Sequence, residues 1–279
     1  MTQSASENPI GVFDSGVGGL TILRAVRQAL PCEHLVYVAD AAYVPYGQKS
    51  PDQIRHRAMT MGAFLVQQGA KAIVAACNTA TAAAIDVLRA RLPVPVIGVE
   101  PAVKPAVAAT RSGVIGVLAT PATLASERYR SLIERFAGGL RVMARPCAGL
   151  AEHIERGDLD GEGTEQLLRS FVEPLLAEGA DVIVLGCTHY PLVAHIVQRI
   201  AGPGVAVIEN GTAVAKEVAR QLTLRGSARA HGTGGETFWS SGPTQHMEPL
   251  LIELWAPHAR LRPFAETQIN AGRDFNATS

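Results

Sequence analysis

Eight short apolar runs constrain this chain more than any other feature: Ile10–Phe13, Leu35–Val38, Ala72–Ala76, Val94–Val99, Val114–Leu118, Leu140–Ala144, Val182–Leu185 and Val205–Ile208. Each is rich in Val, Ile or Ala and, Arg141 apart, free of charged and polar residues instead of alternating with them. A strand with one face in water alternates; a strand covered on both faces does not. The runs therefore predict largely parallel sheets with helices on each side. Helical patterns fill the intervals, over Leu20–Leu30, Pro51–Gln68, Ala80–Arg91, Thr123–Phe136, Gly163–Ala177, Pro191–Ile200 and Thr212–Leu222. That alternation is α/β, with ligands expected beyond the carboxyl ends of the strands.

The chain also repeats itself. Gly11–Gly16, strand then polar turn, is echoed by Gly116–Pro121. Ala75–Thr79 is echoed by Leu185–His189, and the strand Val94–Val99 by Val205–Ile208. Any one match is weak, but three in the same order at nearly one offset predict a duplication. The expectation is two similar α/β domains related by a pseudo-twofold axis, with an active site in the cleft between them. Residues 1–99 and 210–265 would form the first, carrying Cys77, and 100–209 the second, carrying Cys187. In the closing segment a loop over Arg225–Gly235, a strand Glu236–Ser240 and a helix Met247–Trp255 are expected, then a flexible tail over 266–279.

Composition narrows the function. The 25 Lys and Arg residues equal the 25 Asp and Glu, so no net field draws the chain to nucleic acid or an anionic membrane. The polar start has neither a basic n-region nor an apolar h-region, and no apolar run reaches the roughly 20 residues that span a bilayer. A cytoplasmic protein is expected. Its four cysteines, Cys32, Cys77, Cys147 and Cys187, form no C-x-x-C pair, which argues against structural zinc. In a reducing compartment they should be free thiols.

Two of those thiols stand where chemistry is done. Cys77 ends a strand and leads through Asn78 and Thr79 into a helix; Cys187 leads through Thr188 and His189 into another. Free N–H groups at a helix start favour a thiolate and should lower the thiol pKa. Cys32 and Cys147 lack such turns and read as packing residues. The Asp14–Gly19 turn lacks the Lys of a P-loop; its glycines would let backbone approach a ligand, and Ser15 could cap a helix or bind a carboxylate. Pro45–Gly47 offers the Tyr46 hydroxyl or the Gly47 peptide N–H at another strand end. His189 shares a turn with Cys187 and can move a proton beside it. His34, His56, His153 and His195 lack such company, and Glu152 and Glu155 read by default as a solvated helix face.

Opposed thiols suit one kind of reaction. Inverting a stereocentre at carbon needs a base on one face and an acid on the other. Many enzymes add pyridoxal phosphate on a lysine as electron sink. None of Lys49, Lys71, Lys104 and Lys216 sits in a setting that suits one, so neither that cofactor nor a metal is expected.

Five segments together, Phe13–Gly19, Val44–Gly47, Ala76–Ala80, Ala119–Thr123 and Gly186–Leu192, resemble the glutamate racemases of the cofactor-independent aspartate/glutamate racemase superfamily. The likeness runs from Ile10 to about Trp255. It implies that Cys77 and Cys187 are the proton-transfer pair, assisted by Asp14 and His189, with Glu155 joining His189. It further implies substrate contacts from Asp14, Ser15, Tyr46, Gly47, Asn78, Thr79, Thr123, Thr188 and His189. The same resemblance implies interconversion of L- and D-glutamate for peptidoglycan, no cofactor, a cytoplasmic homodimer, and contact with DNA gyrase only by analogy. This chain departs from the family at Ala39–Ala41 (usually Gly-Asp-Thr), at Thr81 (usually Ser) and at Glu209–Asn210 (usually Asp-Ser).

Other readings fit the residues too: a racemase for another acidic amino acid, a cysteine hydrolase, or a binding protein on the same scaffold. A hydrolase needs an oxyanion hole and one nucleophile, which leaves a second cysteine redundant.

Overall fold

The computed structural model describes residues 6–264. The first elements are β1 (Ile10–Asp14), α1 (Leu20–Ala29), β2 (Leu35–Ala39), α2 (Pro51–Gln67), β3 (Ala72–Ala75), α3 (Asn78–Arg91) and β4 (Val96–Gly98). Next come α4 (Val103–Ala109), β5 (Val114–Ala119), α5 (Pro121–Leu124), α6 (Glu127–Phe136), β6 (Arg141–Pro146) and α7 (Leu150–Glu155). They are followed by α8 (Glu162–Ala177), β7 (Val182–Leu185), α9 (Ala194–Ala201) and β8 (Ala206–Ile208). The chain closes with α10 (Gly211–Leu224), β9 (Glu236–Ser240), α11 (Thr244–Leu254) and β10 (Leu261–Pro263).

These strands make two parallel sheets, ordered β10-β9-β2-β1-β3-β4 and β6-β5-β7-β8. The run β2-β1-β3-β4 matches β6-β5-β7-β8 strand for strand. Cys77 therefore follows the strand equivalent to the one before Cys187. That is the topological form of the repeat read in the sequence.

Helices cover both faces of each sheet, which is why the central strands need apolar residues at every position. On β1–β3, Ile10, Val12, Tyr37 and Val74 face one core, and Phe13, Val38, Ile73 and Ala75 the other. The first of these cores runs on into the second sheet through Leu118, Ile183 and Leu185. Each such aliphatic side chain contributes about 1.5–3 kcal/mol when buried. No helix among the described residues is long and apolar enough to cross a membrane.

Several expectations change in detail. The edge strands β6 and β8 are only partly covered, against the reading of every run as buried on both faces. The helix expected over Thr123–Phe136 is two: Thr120 caps α5, and Ser126, accepting from the Tyr129 N–H, starts α6. The helix after Cys187 opens with a 3-10 turn over Tyr190–Val193. The closing helix begins at Thr244, three positions before the Met247 expected. Strand β10 was not foreseen. Phe264 just beyond it packs on Phe64 with ring centroids 4.3 Å apart, so order persists past Pro263. The tail expected over 266–279 lies outside the described residues.

Candidate active site

Cys77 is the N-cap of α3, and its Sγ accepts the Ala80 N–H at 3.4 Å. Ser15 Oγ lies 4.0 Å from the same sulfur, so its role is beside the thiol; α1 has no side-chain cap. A helix start favours a thiolate, yet the thiol pKa is pushed well above its ordinary value, against the lowering expected. Burial is the larger cause and the Asp14 charge the next, and together they outweigh the Ala80 N–H.

Asp14 ends β1, wholly buried. Its carboxylate accepts N–H groups from Gly16 at 3.3 Å and Gly19 at 3.0 Å, and the Thr188 hydroxyl at 3.2 Å. Burial raises its pKa, partly offset by the His189 charge and those N–H groups. Removing the charge in Asp14→Asn is expected to move the pH profile of iodoacetamide reaction at Cys77 to lower pH, read in a Cys187→Ser background. A profile that stays put or moves up would mean that Asp14 does not hold Cys77 protonated.

Cys187 is placed differently. His189 Nδ1 lies 3.7 Å from its sulfur, and His189 Nε2 is hydrogen-bonded to Glu155, which also accepts the Val17 N–H at 2.8 Å. Burial opposes a charge on His189, but the bonds to Cys187 and Glu155 win and hold its pKa well above the ordinary value. A histidine whose pKa is held high thus stands next to Cys187, while a buried carboxylate influences Cys77. The two thiols are matched in topology and opposite in electrostatics.

The glycine-rich turn makes that meeting possible, in a way the sequence reading missed. A Cβ on Gly16 would lie 1.8 Å from Glu155 Oε1, and one on Gly18 would lie 2.5 Å from His189 Nδ1. These glycines admit side chains carried by the second sheet's lobe, where the sequence reading has them admit a ligand. Glu155 is likewise no solvated helix face.

The remaining candidates gather on the same spot. Thr79, Thr120 and Thr123 bring three hydroxyls together at 2.9, 3.2 and 2.9 Å, one following the first sheet and two the second. Asn78 donates Nδ2 to the Val99 carbonyl at 3.3 Å, leaving its buried Oδ1 with no partner among the described residues. Gly47 lies against Thr120, which a Cβ would approach to 3.1 Å. The Tyr46 hydroxyl, one of two groups expected to meet substrate, instead donates to Asp40 at 2.6 Å. Thr81 spends its hydroxyl on backbone, accepting from the Val99 N–H and donating to the Ala75 carbonyl.

Sequence reasoning assigned no role to Thr120 or Asp40, although Thr120 lay within a quoted segment and Asp40 follows a strand. Cys32 stays apart from this network, half-buried near the Ala230 carbonyl. Cys147 donates to the Arg145 carbonyl and lies near enough to Cys187 for a charge there to raise its pKa, after burial as the larger cause. The site is closed, with Cys77 and Cys187 only 6% and 7% exposed. A cavity of about 850 Å³, lined by Arg89, Lys104, Arg128 and Glu217 among others, lies elsewhere and includes neither cysteine.

Paired strand-end cysteines on a duplicated parallel α/β scaffold, one beside a carboxylate and one beside an imidazole, define the class of fold and site. The model of the Asp/Glu/Hydantoin racemase family matches residues 18–218, and the chain belongs to that family. It is 51% identical to a glutamate racemase of Methylococcus capsulatus over 93% of this chain and 96% of the relative. Among solved structures, a glutamate racemase from Bacillus anthracis is similar at a TM-score of 0.86 and 31% identity, covering 93% of this chain and 98% of that one. One from Francisella tularensis in complex with D-glutamate is similar at a TM-score of 0.82 and 28% identity, covering 94% and 99%.

Proposed function

We propose that this chain interconverts L- and D-glutamate by proton transfer at the α-carbon between Cys77 and Cys187. The observation that carries the reading is the pair of equivalent strand-end thiols in one closed network, Asp14 near the first and His189 beside the second. From L-glutamate, Cys187 as thiolate takes the α-proton, its charge complemented by His189. Cys77, held protonated by burial and Asp14, then gives a proton to the opposite face. In the reverse direction the roles exchange. Glu155 holds His189 in orientation through Nε2.

Substrate recognition falls to the groups around the thiols. The peptide N–H of Gly47, the hydroxyls of Ser15, Thr79, Thr123 and Thr188 and the backbone beside His189 suit the two carboxylates of glutamate. The unpartnered Asn78 Oδ1 suits its ammonium. Thiols and these groups suffice, without a metal or pyridoxal phosphate. The reaction needs two lobes that part and close, 1–99 with 210–265 and 100–209. A cytoplasmic homodimer supplying D-glutamate for peptidoglycan completes the reading.

Polarimetry on the purified protein tests it. Either enantiomer alone should lose its rotation toward zero, and the activity should survive dialysis against EDTA and hydroxylamine. Turnover of neither enantiomer, or a loss restored by metal or pyridoxal phosphate, would overturn it.

A further inference from the structure

We propose that Asp40 is a positioning residue that fixes the Tyr46–Gly47 peptide for substrate, a role that rests on the racemase reading above. Asp40 follows β2, wholly buried, and its N–H donates to the Asp14 carbonyl at 2.9 Å. Its Oδ2 accepts the Tyr46 hydroxyl at 2.6 Å and Arg57 Nε at 2.9 Å. Its Oδ1 accepts Arg57 Nη2 at 2.8 Å and the Ser241 hydroxyl at 2.7 Å. One carboxylate thus gathers α2, the loop after β2 and the segment after β9, and is joined to the backbone of Asp14.

Beyond the burial of the Tyr46 ring and the contact of Gly47 with Thr120, the loop has few bonds to other elements: the Ala42 N–H donates to the Ser241 hydroxyl at 3.2 Å. Residues 41–50 contain two short 3-10 turns, Ala41–Tyr43 and Tyr46–Gln48, each closed by a single backbone bond. At its outer end Gln48 donates to Glu152 on α7, an exposed contact worth little. Tyr43 lies over the Arg57 guanidinium at 3.7 Å. A buried ion pair is an inefficient stabiliser, because desolvation offsets most of its attraction. A carboxylate with four acceptor sites is well suited to setting geometry. With the Tyr46 hydroxyl tied to Asp40, the next peptide is presented rigidly; untied, ordering it would be a cost of binding.

Tyr46→Phe removes that one bond and keeps the ring. KM for both enantiomers is expected to rise about tenfold, the scale of a hydrogen bond to a charged group. Turnover should stay within about threefold and the melting temperature should hold. Amide exchange over residues 41–50 of the free protein should quicken. A merely structural role would instead lower apparent kcat at constant KM. Replacing the ion pair as Asp40→Asn with Arg57→Gln should raise KM similarly, and adding Tyr46→Phe should raise it no further. Unchanged KM and exchange in Tyr46→Phe, a fall in kcat alone, or multiplying effects in the triple variant would overturn the role of Asp40 while leaving the racemase reading intact. An unmodified protein inert to both enantiomers would overturn both.

Discussion

Cys77→Ser and Cys187→Ser should each lower racemisation by about 10³-fold or more in both directions. Serine keeps the size and hydrogen-bonding ability of the thiol. At position 77 it can still accept the Ala80 N–H that caps α3, so the fold should survive. It cannot serve as the base, since its hydroxyl does not ionise near neutral pH. Because L- and D-glutamate have equal free energy, kcat/KM in the two directions must fall by the same factor. Neither cysteine can be spared for one direction of travel. Cys32→Ser and Cys147→Ser should keep most of the activity, Cys147→Ser at a stability cost of about 1 kcal/mol for altering a buried site. Chiral chromatography of the products checks all four variants. Equal losses across the four would point to folding instead of chemistry.

Gly16→Ala should be nearly as damaging, although the added group is a single methyl in a turn. That methyl would sit 1.8 Å from Glu155 Oε1, closer than any two unbonded atoms can lie. Glu155 must then leave, and with it go the bonds to the Val17 N–H and to His189. His189 loses the partner that helps keep its proton beside Cys187. A loss in kcat of about 10²-fold is expected, in the range for disabling a general acid–base group, with a stability cost of about 1–3 kcal/mol from overpacking. Since Gly16→Ala and Glu155→Gln would disable the same contact, their combination should be little worse than either alone. Glu155→Asp, a shorter carboxylate, should partly rescue Gly16→Ala. Full activity in Gly16→Ala would mean that the approach of Glu155 to this turn is not needed for turnover.

Much of this site was legible because strand–turn–helix junctions write themselves into local sequence. Consecutive apolar residues ending at Ala76 and Gly186, followed by Cys-Asn-Thr and Cys-Thr-His, located both thiols without any tertiary information. The duplication followed from the same local pattern, while the strand order came only with the fold. Less legible were features decided by contacts far apart in the chain. Nothing in the turn Asp14–Gly19 announces that its glycines make room for Glu155 and His189, because those partners arrive from α7 and from the turn after β7. The thiol pKa of Cys77 was misjudged for the same reason. The helix start is local and visible, whereas burial and the approach of Asp14 are tertiary and larger. Glu155 looked like surface when weighed by its helix alone, and only the family resemblance pointed to it. Asp40 was passed over because its three partners, Tyr46, Arg57 and Ser241, are brought to it by the fold.

The most direct test of the two-thiol mechanism is the fate of the α-hydrogen. L-glutamate is turned over in deuterium oxide to a few per cent conversion, and each enantiomer is then separated and weighed by mass spectrometry. With Cys187 removing the proton on one face and Cys77 delivering another on the opposite face, the D-glutamate formed should carry deuterium in essentially every molecule. The recovered L-glutamate should remain almost wholly protiated. D-glutamate that retains much of its original protium would mean that one group both takes and returns the proton, and would contradict the paired-thiol mechanism.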